Sequence, residues 1–432
     1  MRRLVFACLL VCVPLAAQEI PMATQLPGSP FSIRKTWVIG GAGNWDYLTI
    51  DPAAQRLYIA HGPAVQVVDI DSGELVARIS GFREAHSIAL DDTGAYAYVS
   101  DGRAEAVDVV NRERFEIEST IPIHCSPRSI AFERGSQLVF AICGATAANQ
   151  PAPPNRPSTA ADSRLARPTD QQAQSDLSGI SHIVVIDAQT KKVIADLAVA
   201  GDLRFAQPDG DGHVYVSVGE AHESWLENGR TVHADFPQRI ARLDASAIAA
   251  DVRRQTDARP NPASPSKDPV HIDWSRNADP GADLHFLPLP KSCANPQGLA
   301  VDSKHLRLFL ACGDQRLMVL NADTGDAVAS LTTGPGDDVL GYDQERGLLF
   351  VANGAGYGSL TIVRQDGNMD SYEVIQNLPT RARARTLAVD SSTGKVYLVT
   401  DNYGVDLSKP GGIGTMKAVP IGGSFQVIVV GQ

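Results

Sequence analysis

Seven polar residues open seven copies of one short pattern: Asp46 (DYLTID, 46–51), His86 (HSIALD, 86–91), Arg128 (RSIAFE, 128–133), Arg204 (RFAQPD, 204–209), Gln297 (QGLAVD, 297–302), Asp338 (DVLGYD, 338–343) and Arg385 (RTLAVD, 385–390). Polar groups brought together on a concave surface make a binding site. The three arginines favour an anion, through charge-assisted and often bidentate hydrogen bonds. Asp46, His86 and Asp338 form a carboxylate–imidazole set suited to proton transfer or, with water, to holding a divalent cation. A plainer reading stands beside these: Asp46 and Asp338 neutralise Arg385 in adjacent units, and exposed pairs of that kind contribute little.

A second basic group is Arg381, Arg383 and Arg385, in which Arg383 and Arg385 share a strand face by the two-residue period. It is suited to phosphates, although single-strand recognition ordinarily adds aromatic stacking platforms, and none is interleaved here. His222 and His233, with Trp225 between them, are suited to binding a metal or covering the channel, and the plainer reading is loop histidines with a packing aromatic. The chain has no Gly-x-Ser-x-Gly elbow, His-Glu-x-x-His pair, phosphate loop or Cys-x-x-Cys-His haem attachment. No catalytic residue, metal or cofactor is therefore assigned.

Something must bring seven distant residues together, and the repeats supply it. Each opening run is followed by a second β-rich run: RLYIA (56–60), AYAYVS (95–100), QLVFAI (137–142), HVYVS (213–217), RLFLA (307–311), GLLFVA (347–352) and KVYLVT (395–400). Further strands follow at 65–70 and 75–79, joined by Asp71-Ser72-Gly73, and at 317–320 and 327–331, joined by Asp323-Thr324-Gly325. Units too small to bury their own apolar faces must stack. The expected fold is all-β, a seven-bladed β-propeller with four-stranded blades. The ring closes when the strand at 32–39 pairs into the last blade and removes an exposed edge. One residue per blade then reaches the rim of the central channel.

Residues 1–17 read as a secretory signal, with Arg2 and Arg3, an apolar run at 4–15 and Ala16-Ala17 before the cut. That run is too short to span a membrane. After an 18–31 lead-in, 32–432 forms a single propeller, expected to be an exported monomer, periplasmic or secreted. Insertions interrupt it at 145–181, 220–237, 246–281 and 403–424. The second to third strand loops (145–181, 220–237, 403–424) crowd one face, and 246–281 leaves the other. Within the last, 245–254 is expected to be helical and 260–269 extended. The net charge of −11 argues against broad attraction to nucleic acid or anionic lipid.

Four cysteines remain beyond the signal, flanking the third and fifth strand pairs. In an antiparallel hairpin the residue before the first strand lies beside the residue after the second. This predicts Cys125–Cys143 and Cys293–Cys312, each contributing about 2–4 kcal/mol in an oxidising compartment.

Several segments also carry a resemblance: 43–51 (GNWDYLTID), the Tyr58 and Tyr98 strand cores, 67–73 (VVDIDSG), 350–354 (FVANG), 376–379 (QNLP), 384–390 (ARTLAVD), and Cys293 and Cys312 around Pro296 and Gly298. Together they resemble the YVTN-repeat, YncE-like family of exported bacterial propellers. The resemblance implies a periplasmic seven-bladed propeller without a settled enzymatic activity, in a family with one branch associated with single-stranded DNA. The insertions at 145–181 and 246–281 and the irregular 204–209 segment depart from its compact repeats. The expected function is a ligand-binding or protein-interaction scaffold at the channel face, with an anionic ligand. A propeller enzyme of lactonase or cycloisomerase type and single-stranded DNA binding are the alternatives.

Overall fold

The computed structural model describes residues 30–41, 43–144, 179–227, 230–257, 268–275, 281, 283–366, 370–405 and 418–432, with the backbone alone over 222–227, 230–234, 405 and 418. The expected signal at 1–17 and nearly all of the 145–181 insertion lie outside these residues. So do the side chains of His222, Trp225 and His233.

The first strand, β1 (Ser32–Val38), is followed by a six-stranded antiparallel sheet: β2 (Trp45–Asp51), β3 (Arg56–Asp69), β4 (Leu75–Leu90), β5 (Tyr96–Asp101), β6 (Ala106–Asn111) and β7 (Glu116–Pro122). The next sheet contains β8 (Ser129–Glu133), β9 (Leu138–Cys143), β10 (Ile180–Asp187) and β11 (Lys192–Ala200). Then come β12 (Asp202–Pro208) and β13 (His213–Gly219), a separate hairpin of β14 (Ala221–Glu227) and β15 (Arg230–Phe236), and β16 (Arg239–Asp244). The helix α1 (Ala245–Asp257) and β17 (Val270–Trp274) precede β18 (Leu284–Pro288), which completes the sheet of β12, β13 and β16. Two regular four-stranded sheets follow: β19 (Pro296–Asp302) with β20 (Arg307–Cys312), β21 (Arg316–Asn321) and β22 (Ala327–Thr332), then β23 (Asp337–Asp343) with β24 (Leu348–Asn353), β25 (Ser359–Gln365) and β26 (Tyr372–Pro379). The last comprises β27 (Leu387–Asp390), β28 (Lys395–Thr400), β31 (Gln426–Gly431) and β1, with a small hairpin of β29 (Tyr403–Val405) and β30 (Ala418–Pro420) outside it.

The expectation of seven separate blades is thereby corrected to six principal sheets. The reason lies in β3 and β4. Sequence spacing placed strand ends near 60 and 79, but both strands run on, so the first two repeat copies share one hydrogen-bonded sheet. Gly62 (φ 57°) and Gly81 (φ 120°) supply conformations that L side chains rarely adopt, and the chain bends there without stopping. The innermost segments nevertheless touch in cyclic order, β2 to β4, β8, β12, β19, β23, β27 and back to β2, around one central channel.

Matching positions do matching work. Tyr58, Tyr98, Phe140, Tyr215, Phe309, Phe350 and Tyr397 occupy the same place in the second strand of each copy, and none is more than 3% exposed. Full burial of a large apolar side chain stabilises by roughly 1.5–3 kcal/mol. In most copies the acidic residue that ends the inner run caps the following turn. Asp51 accepts the Ala54 N–H at 3.1 Å, Glu133 that of Gly135 at 2.8 Å, Asp209 that of Asp211 at 2.8 Å, Asp343 that of Glu345 at 3.1 Å and Asp390 that of Ser392 at 3.0 Å.

The closing strand behaves as expected. β1 pairs antiparallel with β31 from Ser32 opposite Gly431 to Val38 opposite Gln426. Phe31 anchors its start, giving and receiving backbone hydrogen bonds with the Gln376 amide and packing edge-on to Phe350. Cys125 is joined to Cys143 and Cys293 to Cys312, with Cα separations of 5.9 and 5.2 Å.

The 246–281 insertion begins with α1, capped by Asp244, whose Oδ1 accepts the N–H groups of Ser246 and Ala247, both at 2.9 Å. Ala245, Ile248 and Val252 form its buried face. The expected extended stretch at 260–269 falls almost wholly outside the described residues. Beyond it, β17 adds to β11 as a parallel fifth strand of the preceding sheet, which the sequence spacing did not indicate.

Candidate functional site

The seven ring positions share a backbone device. In five inner strands the pairing register slips at the start, between Trp45 and Leu48, Ala85 and Ile88, Leu203 and Ala206, Pro296 and Leu299, and Asp337 and Leu340. The first residue inside each slip is Asp46, His86, Arg204, Gln297 or Asp338. Such bulges re-aim side chains and end regular pairing. Arg128 and Arg385 lie just before β8 and β27, where pairing begins.

Most of the ring comes together. Arg385 Nη1 donates to Asp338 Oδ2 at 2.9 Å, and Asp46 acts on both groups through its charge. Asp46 Oδ2 lies 2.8 Å from His86 Nδ1. Arg204 donates to Asp202 Oδ2 at 3.0 Å and to Asn295 Oδ1, and its charge reaches Asp338. Arg128 is exposed and acts electrostatically on Tyr47. Gln297 is half-buried, and its side chain makes no hydrogen bond among the described residues. The neutralisation expected of Arg385 by Asp338 is thus present, while Asp46 is shared with His86.

At the centre of this charge sits Tyr47, which sequence reading passed over. Burial raises its phenol well above the usual range, and the charges of Asp46 and Asp338 push the same way. Its ring lies 5.1 Å from that of Phe205, contributed by the fourth copy. Below them the channel holds about 420 Å³ between the inner strands. Tyr47 and Phe205 immediately follow Asp46 and Arg204. The clue was an aromatic at the start of an inner strand, where the other copies carry serine, glycine, valine or threonine.

Burial pushes the Asp338 carboxyl up, although Arg385 opposes this; Asp46 adds to the upward shift. Burial alone would lower the Arg385 guanidinium, but Asp338 and Asp46 hold it above its ordinary value.

Off the axis, the same face holds a cavity of about 660 Å³ whose lining includes Asp46, His86, Arg83, Arg103, Arg383 and Arg385. Arg103 pairs with Glu84 at 2.8 Å, and Arg385 is held by Asp338. Arg83 and Arg383 make no carboxylate pair among the described residues. The wall carrying Arg83 is fixed by Asp101, which accepts the backbone N–H groups of Arg83 at 2.6 Å and Glu84 at 2.8 Å. Arg383 has φ 62° and stacks over Tyr403 with 4.7 Å to the ring centroid. Burial raises the Tyr403 phenol, and Arg383 counters it. Arg381 turns to the Asn402 side-chain oxygen at 2.8 Å. The three arginines of 381–385 therefore have three different surroundings, and the aromatic neighbour missing from their sequence comes from an insertion.

No protein-family profile matches the chain, and no curated protein does. Solved structures do. The crystal structure of the RRP9 WD40 repeats aligns with a TM-score of 0.57 at 8% identity, covering 95% of this chain and 100% of that one. The structure of U3-55K aligns with a TM-score of 0.56, also at 8% identity, covering 93% of this chain and 98% of that one. Identity this low shows shared fold alone: the chain is similar to WD40-repeat propellers in architecture.

Proposed function

We propose that this propeller is a binding or interaction scaffold whose working face carries the ring and the off-axis cavity, and that its ligand presents an anion there. The carrying observation is charge segregation. A chain of net charge −11 gathers Arg83, Arg103, Arg383 and Arg385 around one cavity against the two carboxylates Asp46 and Glu84, with Arg83 and Arg383 lacking carboxylate partners among the described residues. Low-dielectric walls strengthen such a local field. Architectural likeness to WD40 propellers is compatible with a scaffold.

On this reading the chain is an exported monomer of the YncE-like kind, forming one propeller unit over 32–432. The two disulfides fit an oxidising compartment, periplasmic or extracellular. Among the described residues no helix is long and apolar enough to cross a membrane. Single-stranded nucleic acid is a second reading, supported by Arg383 beside Tyr403.

Calorimetric titration with anions and short oligonucleotides tests both. A saturable anion signal lost in Arg385→Ala supports the first reading. Binding of oligonucleotide alone, with a salt dependence reduced in Arg383→Ala, replaces it with the second. Turnover of lactones by the purified protein overturns the scaffold reading in favour of an enzyme.

A further inference from the structure

We propose that a cavity on the flank of the propeller takes an extended peptide, which adds to the open edge of β7 as a further strand and sets a carboxylate beside Lys192. The site lies away from the ring face and does not depend on the anion-binding reading given there.

The cavity, of about 1240 Å³, separates the outer part of the six-stranded sheet from that of the sheet of β8 to β11. On one side every residue from 119 to 125 lines it, the end of β7 and the chain just beyond. Successive side chains of a strand point to opposite faces, so a wall made by one face would use alternate residues. Continuous lining means that the edge of β7 opens into the cavity. β7 is the last strand of its sheet and pairs with β6 alone. Ile123 turns its N–H inward to the Glu105 carbonyl at 2.8 Å. By the alternation of an antiparallel ladder, the N–H and C=O of Thr120 and the C=O of Pro122 then face outward. None of these three groups has a hydrogen-bond partner among the described residues. The Ser119 hydroxyl, buried at the cavity, also lacks one there.

The opposite wall is built in the same way. Residues 190–194 line it without a gap, because β17 covers β11 only from Ala195, opposite Val270, onward. Two open strand edges in neighbouring sheets thus face one space, with Ile121, Ile123, Val184 and Val252 as apolar walls. An occupant that offers backbone N–H and C=O groups at its edges and apolar side chains between them is an extended peptide. β17 already joins β11 in this manner, so an outer edge of this propeller accepts a further strand. Charge narrows the choice. Lys191 is taken by Glu118 at 2.6 Å, and Asp196 by His182 at 2.9 Å with His271 at 3.4 Å. Lys192 is exposed and makes no ion pair among the described residues. One acidic residue in an otherwise apolar segment complements it. At roughly 3.3 Å per residue, the open edge from Ser119 to Pro122 takes about four residues of partner strand.

Amide hydrogen exchange on the full chain tests the edge first. The Thr120 N–H should exchange fast in the free protein and the Ile121 N–H slowly. A Thr120 amide already protected overturns the proposal, and protection that disappears when 258–267 is replaced by a glycine–serine linker assigns the edge to that segment instead. Hexapeptides are then selected from a random display library, and the tightest is synthesised. It should alternate apolar residues, carry one acid and slow Thr120 exchange on binding. Methylating the peptide nitrogen that pairs with β7 should weaken binding by about tenfold, the upper end for one backbone hydrogen bond. Thr120→Pro, which removes the outward N–H, should weaken it about as much, whereas Thr120→Val gives up only the side-chain contact to Asp108 and leaves binding unchanged. Lys192→Ala should remove the preference for the acid. Thermal transitions check that each variant folds. No selected peptide, a peptide that leaves Thr120 exchange unchanged, or equal binding by Thr120→Pro and Thr120→Val overturns the site, and each of these leaves the reading of the ring face standing.

Discussion

Asp337 illustrates how closely cost and position are joined at single residues. It precedes the ring residue Asp338, is only 3% exposed, and accepts the Arg316 N–H at 3.1 Å and the Thr333 hydroxyl at 3.3 Å. Burial lifts its carboxyl from 3.8 to about 6 despite those donors. The folded state then holds a proton that the unfolded state has released, so stability falls as pH rises from about 4 to about 6. Asp337→Asn should remove that loss and raise stability at pH 7 by on the order of 2–3 kcal/mol, as read from denaturant unfolding across pH. Arg383 is a different case. A non-glycine residue in the left-handed region costs about 1–2 kcal/mol, and this one holds that conformation beside the cavity. Arg383→Gly relieves the strain but loses the Tyr403 stack and frees the unfolded chain. We expect a stability change under about 1 kcal/mol together with loss of anion binding, a separation that combined unfolding and calorimetric measurements would reveal.

Elements explain what the sequence could disclose. The inner and second strands were legible because the pair repeats seven times, each inner run ending in an acidic residue and each second run being short and rich in apolar residues. The disulfides were legible for the same reason: Cys125 and Cys143 flank one hairpin, and Cys293 and Cys312 another. Removing the first bridge, which closes a separation of 18 residues, should lower unfolding free energy by about 3 kcal/mol in Cys125→Ala/Cys143→Ala, measured by denaturant titration. Other features were hidden. Continuity of β3 and β4 depends on glycine bends, which look the same in sequence as turns that end a strand. The parallel addition of β17 to β11 joins residues whose pairing no local pattern encodes, such as Asp196 opposite His271. Much of the ring was legible by alignment, but its neighbours were not. Arg83 and Arg103 belong to no repeated position, and Tyr403 approaches Arg383 only because the β29–β30 hairpin leaves the last sheet.

At the scale of the whole molecule, six sheets and a closed inner ring depend on one non-local seam, β1 against β31. Deleting 30–38 would expose the full edge of β31, and such edges recruit other chains. We expect this variant to unfold at lower denaturant and to associate with rising concentration, which sedimentation measurements would detect; a stable monomer would mean that the ring holds without the seam. The register of the seam has a mechanical consequence. Ser32 lies opposite Gly431, so the outer ends of the two strands meet at the same end of an antiparallel pair. A force applied between those two residues therefore loads the hydrogen bonds one rung at a time, peeling β1 away as a zipper, where shearing would load them all together. The propeller should accordingly give way at low tension when held by these two points, and resist far better when pulled between a strand and its neighbour elsewhere in the ring.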